Sequence, residues 1–461
     1  MTSPSAGSDA PLLDKALRAA RDTRRLAIGE GSRHEAPALF EAAFGRRPAV
    51  IVADPHTLEA AGREVLAAFH REGLSCAEPF VFGEDVYADI EDVERLEAAI
   101  RDVEAIPVAV GSGTINDLTK LAAHRLGRPY MAVATAASMD GYTAFGASIT
   151  DRGSKQTFNC PAPRAVVADL EVIAKAPPGM NASGYADLLA KNVAGADWIL
   201  ADAAGVEPID LDVWETVHGR LRTWIENPTG VARNDPEALR GLVAGLMMSG
   251  FAMQAHKTSR PASGADHQFS HLWDMQHHTF DGAAPSHGFK VGIGTLASLA
   301  LHQELLARDL ENVDVERAVA AWPTLEIEER RIAELFGPGE LAAKAVEETR
   351  AKHPSPEALR DQLDRLRKAW PEVRERLARH LIPFDEVRAR LRLAGCPDRP
   401  EAIGISRERL RVSYEQATFI RRRFTVLDVA RRFGVFGESL DVVFRPHGPL
   451  ADATPAQVKM Q

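Results

Sequence analysis

From Leu26 to Ala136 short apolar runs alternate with segments whose apolar residues recur every three or four positions. PAVIVAD, from Pro48 to Asp54, is apolar up to its last residue and reads as a buried strand, and HTLEAAGREVLAAFHREG after it reads as a helix. The same pairing repeats as EPFVF and IEDVERLEAAIRDV, then as IPVAVGSGT and INDLTKLAAHRLG, and closes on PYMAVAT. Such alternation predicts an α/β domain built on a mostly parallel sheet. Past Thr135 the polar, glycine-containing ASMDGYTAFGASITDRGSKQTF reads as a hairpin, PRAVVADLEVIAKAPPG adds one more strand, and Pro177-Pro178-Gly179 marks a boundary. Beyond it the pattern is helical to the end. The expected organisation is a disordered tail and lead-in over 1–25, an α/β domain over 26–178, and an all-helical domain with a C-terminal helical extension over 179–461.

Two helical stretches need separate treatment. GLVAGLMMSGFAMQAH, from Gly241, is too short an apolar run to span a bilayer and reads as a helix buried inside a helical domain. Leu359, Leu363, Leu366, Trp370, Val373 and Leu377 fall at spacings of four and three with charges between, which fits an amphipathic surface helix or a short coiled-coil seam. Pro371 is expected to kink it.

Charge and cysteine usage narrow the function classes. With 65 acidic against 55 basic side chains the net charge is -10, which argues against general nucleic-acid binding, where clustered Lys and Arg must meet phosphates. A small anionic substrate held by one or two local cations stays open. The three cysteines, Cys76, Cys160 and Cys396, are far apart and form no CxxC pair, so a reducing cytoplasm is expected. MTSPSAGSDAP has neither the basic start nor the apolar core of a signal peptide, and no membrane insertion is expected.

Three residues could hold one divalent metal: Asp187, His267 and His287. A carboxylate with two neutral imidazoles leaves coordination positions open for substrate, as a catalytic site requires. Ser183 or Asn181 is a candidate cap for a helix carrying Asp187 in its first turns, and Ser263 for the helix carrying His267. His287 follows the turn-rich DGAAPS, so a loop could aim it at that helix. His267, His271, Asp274 and His278 share one face if Ser263 to His278 is helical, but eleven residues span about 16 Å, too far for His278 to join His267 at one ion. The plainer alternative makes each of these a solvated or hydrogen-bonded residue, and His256, His277 and His278 are read that way.

Gly111-Ser112-Gly113-Thr114 sits where a strand meets a helix, a geometry that suits phosphate and equally an ordinary tight turn. It lacks the third glycine of a dinucleotide fingerprint. Asp54, at a strand end, could meet a ribose or cap the next helix. Asp140, in the loop after another strand, could contact substrate or serve as a turn residue.

Taken together, GSGTINDLTK, TAASMDGYTAFGAS, NASGYADLLAK, SRPASGADHQFSH and SHGFKVGIGT resemble the sn-glycerol-1-phosphate dehydrogenases, within the superfamily of iron-type alcohol dehydrogenases, glycerol dehydrogenases and dehydroquinate synthases. The longer C-terminal extension resembles the bacterial branch. The resemblance implies a nucleotide-binding α/β domain, a helical metal domain and an active site in the cleft. It implies metal ligands at Asp187, His267 and His287, substrate contacts at Asp187, His271 and Asp140, and NAD contacts at Gly111, Ser112, Gly113, Thr114, Ile115 and Asn116, at Thr135 through Ser138, and at Asp54. Ala144 departs from a serine frequent in relatives. The implied reaction is reversible reduction of dihydroxyacetone phosphate to sn-glycerol 1-phosphate with NADH, or NADPH, and one zinc or nickel ion, or iron. A homodimer is implied, and Arg260 is the candidate phosphate partner. A dehydroquinate-synthase-type cyclase or a glycerol dehydrogenase acting on the free triol is the alternative.

Overall fold

The computed structural model describes residues 9–151 and 154–451. The apolar runs form a six-stranded sheet in the order β1-β8-β5-β4-β2-β3, from β1 (Arg25–Gly29), β2 (Ala49–Ala53), β3 (Phe80–Val81), β4 (Ile106–Gly111), β5 (Met131–Ala134) and β8 (Ala165–Asp169). Every pairing in it is parallel. β6 (Ala147–Asp151) and β7 (Ser154–Phe158) make the expected antiparallel hairpin. The strands are nearly all apolar because both sheet faces are covered, as parallel sheets require. Side chains alternate between the faces. Val50 and Val52 meet Leu96, Ile115 and Leu118 on one, while Ile51, Val108 and Val167 meet Phe40, Val65 and Phe69 on the other. Each fully buried side chain of this size contributes about 1.5–3 kcal/mol.

The chain packs as two units. One holds the described residues up to Leu189 together with Leu211–Ala262 and Leu393–Cys396; the other holds Ala190–Asp210, Ser263–Arg392 and the described residues from Pro397 onward. The Pro236–His256 helix, which contains the apolar GLVAGLMM run, thus belongs with the sheet, and fifteen of its residues are buried. This corrects the expectation of a helix inside the helical domain: apolar periodicity predicts a buried helix but carries no sign of which unit it joins. The first eight residues of the expected tail lie outside the described ones, while Ala10–Ala19 is a helix of the sheet-bearing unit. Within that unit the buried Cys396 donates its Sγ–H to the Ala182 carbonyl.

The second unit is helical. Its Pro356–His380 helix buries all six residues of the apolar stripe and continues through Pro371. Pro371 is exposed, so the carbonyl that loses its donor can turn to water. Among the described residues, no helix is long and apolar enough to cross a membrane.

Candidate active-site residues

In the sheet-bearing unit the register aligns Gly111 with Ala134 and Ala134 with Ala168, so the carboxyl ends of β4, β5 and β8 share one edge. Ligands of open α/β sheets bind outside that edge. Ser112 follows β4 directly and is the N-cap of the Gly113–Arg125 helix. Gly111 is required by space, since a Cβ there would lie 2.5 Å from the Ile115 Cβ. Ile115 and Asn116 are buried, and Asn116 spends its side chain inside, donating to Asp117 at 3.0 Å and accepting from the Tyr130 hydroxyl at 3.1 Å. Thr135 and Ser138 follow β5 at the same edge.

Asp54 follows β2 and caps the short helix Pro55–Thr57: its Oδ1 accepts from the Thr57 N–H at 2.9 Å while Thr57 Oγ1 accepts from the Asp54 N–H at 3.1 Å. The capping alternative is realised, on one carboxylate oxygen.

Asp187 is fully buried and is the tenth residue of the Pro178–Leu189 helix. That helix begins at Pro178, so Asn181 and Ser183 lie inside it and neither is its cap; proline at a first turn starts a helix readily because its missing donor is not needed there. Asn181 instead accepts from the Ala137 N–H at 3.0 Å and donates to the Ile173 carbonyl at 2.9 Å. Ser183 donates to the Ser138 carbonyl at 3.3 Å. A Cβ on Gly184 would sit 1.8 Å from the Ala137 carbonyl oxygen, so this glycine lets the segment after β5 lie against the helix. There the Asp140 N–H donates to Asp187 Oδ2 at 3.1 Å, and Ser249 Oγ donates to Asp140 Oδ2 at 2.8 Å.

In the helical unit His267 is on the Ala265–Met275 helix and His287 is the first residue of the His287–Leu306 helix. His287 is thus placed by a helix start, not by a loop: Ser286 caps it, accepting from the Phe289 N–H at 3.3 Å. Ser263 does not cap the other helix. The N-cap is Gly264, and Asp197 Oδ2 accepts from the Ala265 N–H at 2.7 Å, a carboxylate sixty-eight positions away doing what a local serine was expected to do. Asp197 Oδ1 also accepts from the Val426 N–H at 2.7 Å and bonds His302 at 3.1 Å.

The two helices pack closely because Gly294 has no side chain; a Cβ there would lie 2.2 Å from the Asp266 carbonyl oxygen. Lys290 pairs with Asp274 across the same contact. The result is a triangle of imidazoles, with ring centroids 5.4 Å apart for His267 and His287, 6.1 Å for His267 and His271, and 6.4 Å for His271 and His287. His267 and His287 bring a ligand nitrogen each to within 4.8 Å of one another. His267 Nδ1 bonds the Asp266 carboxylate. A carboxylate on the far nitrogen is how metal-ligating histidines are commonly oriented.

Of the other histidines, His278 lies beyond the helix, which ends at Met275, and bonds the Ile403 carbonyl through Nε2 at 2.6 Å and Arg409 through Nδ1 at 2.9 Å. Burial, with the Arg409 charge adding to it, holds its pKa below the ordinary histidine value. His277 is exposed, and His256 bonds Thr258. Arg260 is fully buried in the sheet-bearing unit.

Sequence similarity bears on this arrangement. Residues 27–177 match the sequence profile of the iron-containing alcohol dehydrogenases. A glycerol-1-phosphate dehydrogenase [NAD(P)+] of Halalkalibacterium halodurans is 34% identical over 270 residues, which is 58% of this chain and 67% of the relative. The enzyme of the same name from Geobacillus thermodenitrificans is 33% identical over 294 residues, 62% of this chain and 72% of the relative. The chain belongs to the glycerol-1-phosphate dehydrogenase family. Among archaeal members, that of Pyrococcus furiosus is 34% identical over 262 residues, 55% of this chain and 71% of its own. In fold, this family member is similar to a glycerol dehydrogenase from Schizosaccharomyces pombe, with a TM-score of 0.57 at 15% identity over 91% of this chain and 90% of the other.

Local sequence does not point to Asp266, Lys290, Asp197 or Ser249 as members of this arrangement. The first two carry only a signal of position: Asp266 immediately precedes His267, and Lys290 lies one helical turn after His287.

Proposed function

We propose that this protein reversibly reduces dihydroxyacetone phosphate to sn-glycerol 1-phosphate with NAD(P)H, using one divalent cation held by Asp187, His267 and His287. The observation that carries this reading is the His267–His287 pair with Asp266 behind His267, found in a chain of this family. Each of the three proposed ligands offers one ligand atom. One carboxylate and two imidazoles fit zinc or nickel, and also iron, and leave positions open. When bound, the cation supplies Lewis acidity at the ketone oxygen and the nicotinamide supplies the hydride.

The chain's own residues orient and protonate. Asp140, steadied by Ser249, accepts a hydrogen bond from a substrate hydroxyl. His271, half-buried beside the ligand imidazoles, holds the proton destined for the C2 oxygen. The buried guanidinium of Arg260 is the candidate phosphate partner. The N–H groups of the Gly111–Thr114 turn receive the pyrophosphate, Thr135 and Ser138 the nicotinamide side, and Asp54 the adenosine ribose. A homodimer is proposed from the family resemblance, and three free thiols support a reducing compartment.

Incubation with NADH or NADPH and with either dihydroxyacetone phosphate or dihydroxyacetone, followed by chiral analysis, tests the reading. A charge-assisted phosphate contact is expected to favour the phosphorylated ketone by about a hundredfold or more. The product is expected to be the sn-1 enantiomer, and NADH to outperform NADPH because Asp54 repels a 2′-phosphate. Equal turnover of both ketones or an sn-3 product overturns the substrate assignment, and ring formation from a heptulosonate phosphate transfers the protein to the cyclases.

A further inference from the structure

The helix that opens on the Gly111–Thr114 turn also carries a buried cation. The Lys120 side chain is 0% exposed. Its ammonium donates to three backbone carbonyls, those of Gly141 at 3.0 Å, Ala144 at 3.1 Å and Gly146 at 2.9 Å. An ammonium has three donors, so these bonds use all of them. The Asp117 carboxylate lies 3.7 Å away. Burying an ammonium is costly unless it is fully bonded, and a methionine of similar length would fill the space at lower cost.

All three acceptors belong to the segment that begins directly after Asp140. This segment is irregular apart from the 3-10 turn Gly141–Thr143, so its carbonyls have few partners of their own. On its other side the Pro236–His256 helix grips it: Thr143 Oγ1 donates to the Met247 carbonyl at 2.7 Å, and Gln254 donates to the Thr143 carbonyl at 2.9 Å. Gly250 makes room for it, since a Cβ there would meet Thr143 Oγ1 at 2.2 Å. Asp140 stands at the head of this gripped segment, bonded to Ser249 and Asp187.

We infer that Lys120 is a positioning residue for the reduction: its ammonium fixes the Gly141–Gly146 segment and thereby sets where the Asp140 carboxylate meets substrate, without itself touching substrate or cofactor. The inference rests on the assignment of Asp140 to the substrate. Lys120 lies two helical turns beyond Gly113, so one rigid helix ties the cofactor turn to the substrate segment.

The test is a double-variant cycle in the full-length enzyme with Lys120→Met, Asp140→Asn and their combination, read as kcat and KM for each substrate together with amide hydrogen exchange over 141–146. Misplacing a group by an ångström can cost about a hundredfold, so Lys120→Met is expected to lower kcat by about that factor while KM for NADH stays within about twofold. Exchange at Ala144 and Gly146 is expected to accelerate at least about tenfold as the segment loosens. In the Asp140→Asn background the same substitution is expected to cost less than about threefold, because the group it positions is already disabled. Full multiplicative loss in the combination, or unchanged exchange over 141–146, overturns the inference. Should Lys120→Met fail to fold, Lys120→Arg run through the same cycle decides in its place, since a fork of donors cannot reproduce three convergent bonds. Wild-type turnover of neither ketone refutes the proposed function, whereas the exchange result still judges the clamp.

Discussion

Buried polar groups are used differently in the two units. In the sheet-bearing unit the polar side chains near Asp140 reach mainly for the main chain: Lys120 holds three carbonyls, Asn181 an amide and a carbonyl, Gln254 the Thr143 carbonyl. In the helical unit buried polar side chains also pair with each other, as Asp266 with His267, Asp274 with Lys290 and Asp197 with His302. The reason is local. Loops leave backbone groups that must be satisfied from outside, whereas helices satisfy their own interior and leave side chains to set how one packs on another. Placing a loop carboxylate therefore takes a clamp, and placing two imidazoles takes paired helices.

The largest effect expected from breaking this contrast is at the imidazoles. His287→Ala should abolish metal retention and lower kcat by about a thousandfold or more, the loss of several kcal/mol of carbonyl activation, with the fold intact by circular dichroism. His278→Ala, which removes a histidine tied to a main-chain carbonyl, should keep metal and turnover. Like behaviour of the two in metal analysis would show that the ligand set is wrong. Asp266→Asn should weaken metal binding by about ten- to a hundredfold in competition with a chelator, because it loosens the far nitrogen of His267.

Next comes the spacing between the helices. Gly294→Ala forces a methyl against the Asp266 carbonyl, so stability should fall by about 3 kcal/mol in urea unfolding, with metal affinity falling alongside. Stability unchanged within error would mean that the two helices are not held at this separation.

The smallest expected effect concerns a carboxylate that has no part in the imidazole cluster. Burial pushes the Glu348 carboxyl upward, but bonds from Arg422 and Lys344 outweigh it and hold its pKa at about 2, below the ordinary value of 4.5. A depressed folded-state pKa contributes stability that is complete above the unfolded value and lost as pH falls toward the folded one. The Tm difference between wild type and Glu348→Gln should accordingly be steady near neutrality and shrink between pH 4.5 and about 2. A difference that persists undiminished at the acid end would remove the ion pair as its cause.

How much of this was legible in the chain follows from the range of each interaction. The strands could be read because burial on both faces makes their composition apolar residue by residue, and the ligand types could be read because few side chains bind metals. The starts of the Pro178–Leu189 and Ala265–Met275 helices cannot be read locally. Ser183 and Ser263 look like caps locally, but Pro178 starts the first helix earlier, and Asp197 supplies the second from a distant helix. Lys120 was invisible for a related reason, since in INDLTKLAAHRLG a lysine reads as a solvated position until the Gly141–Gly146 carbonyls are laid over it. The division of the chain into units was equally hidden, because apolar periodicity does not say which neighbour a buried helix will choose.

The thiols carry a consequence for handling and measurement. Burial pushes Cys76 and Cys160 up to about 11 and Cys396 up to about 12. At pH 8 a thiol of pKa 11 is thiolate for only about one part in a thousand, and it is the thiolate that alkylating agents and oxidants attack. The folded chain should thus age slowly in air. Cys396, seated against Ala182 on the helix that bears Asp187, becomes a built-in clock: the rate at which a reagent consumes it counts how often that helix lets go of its neighbour.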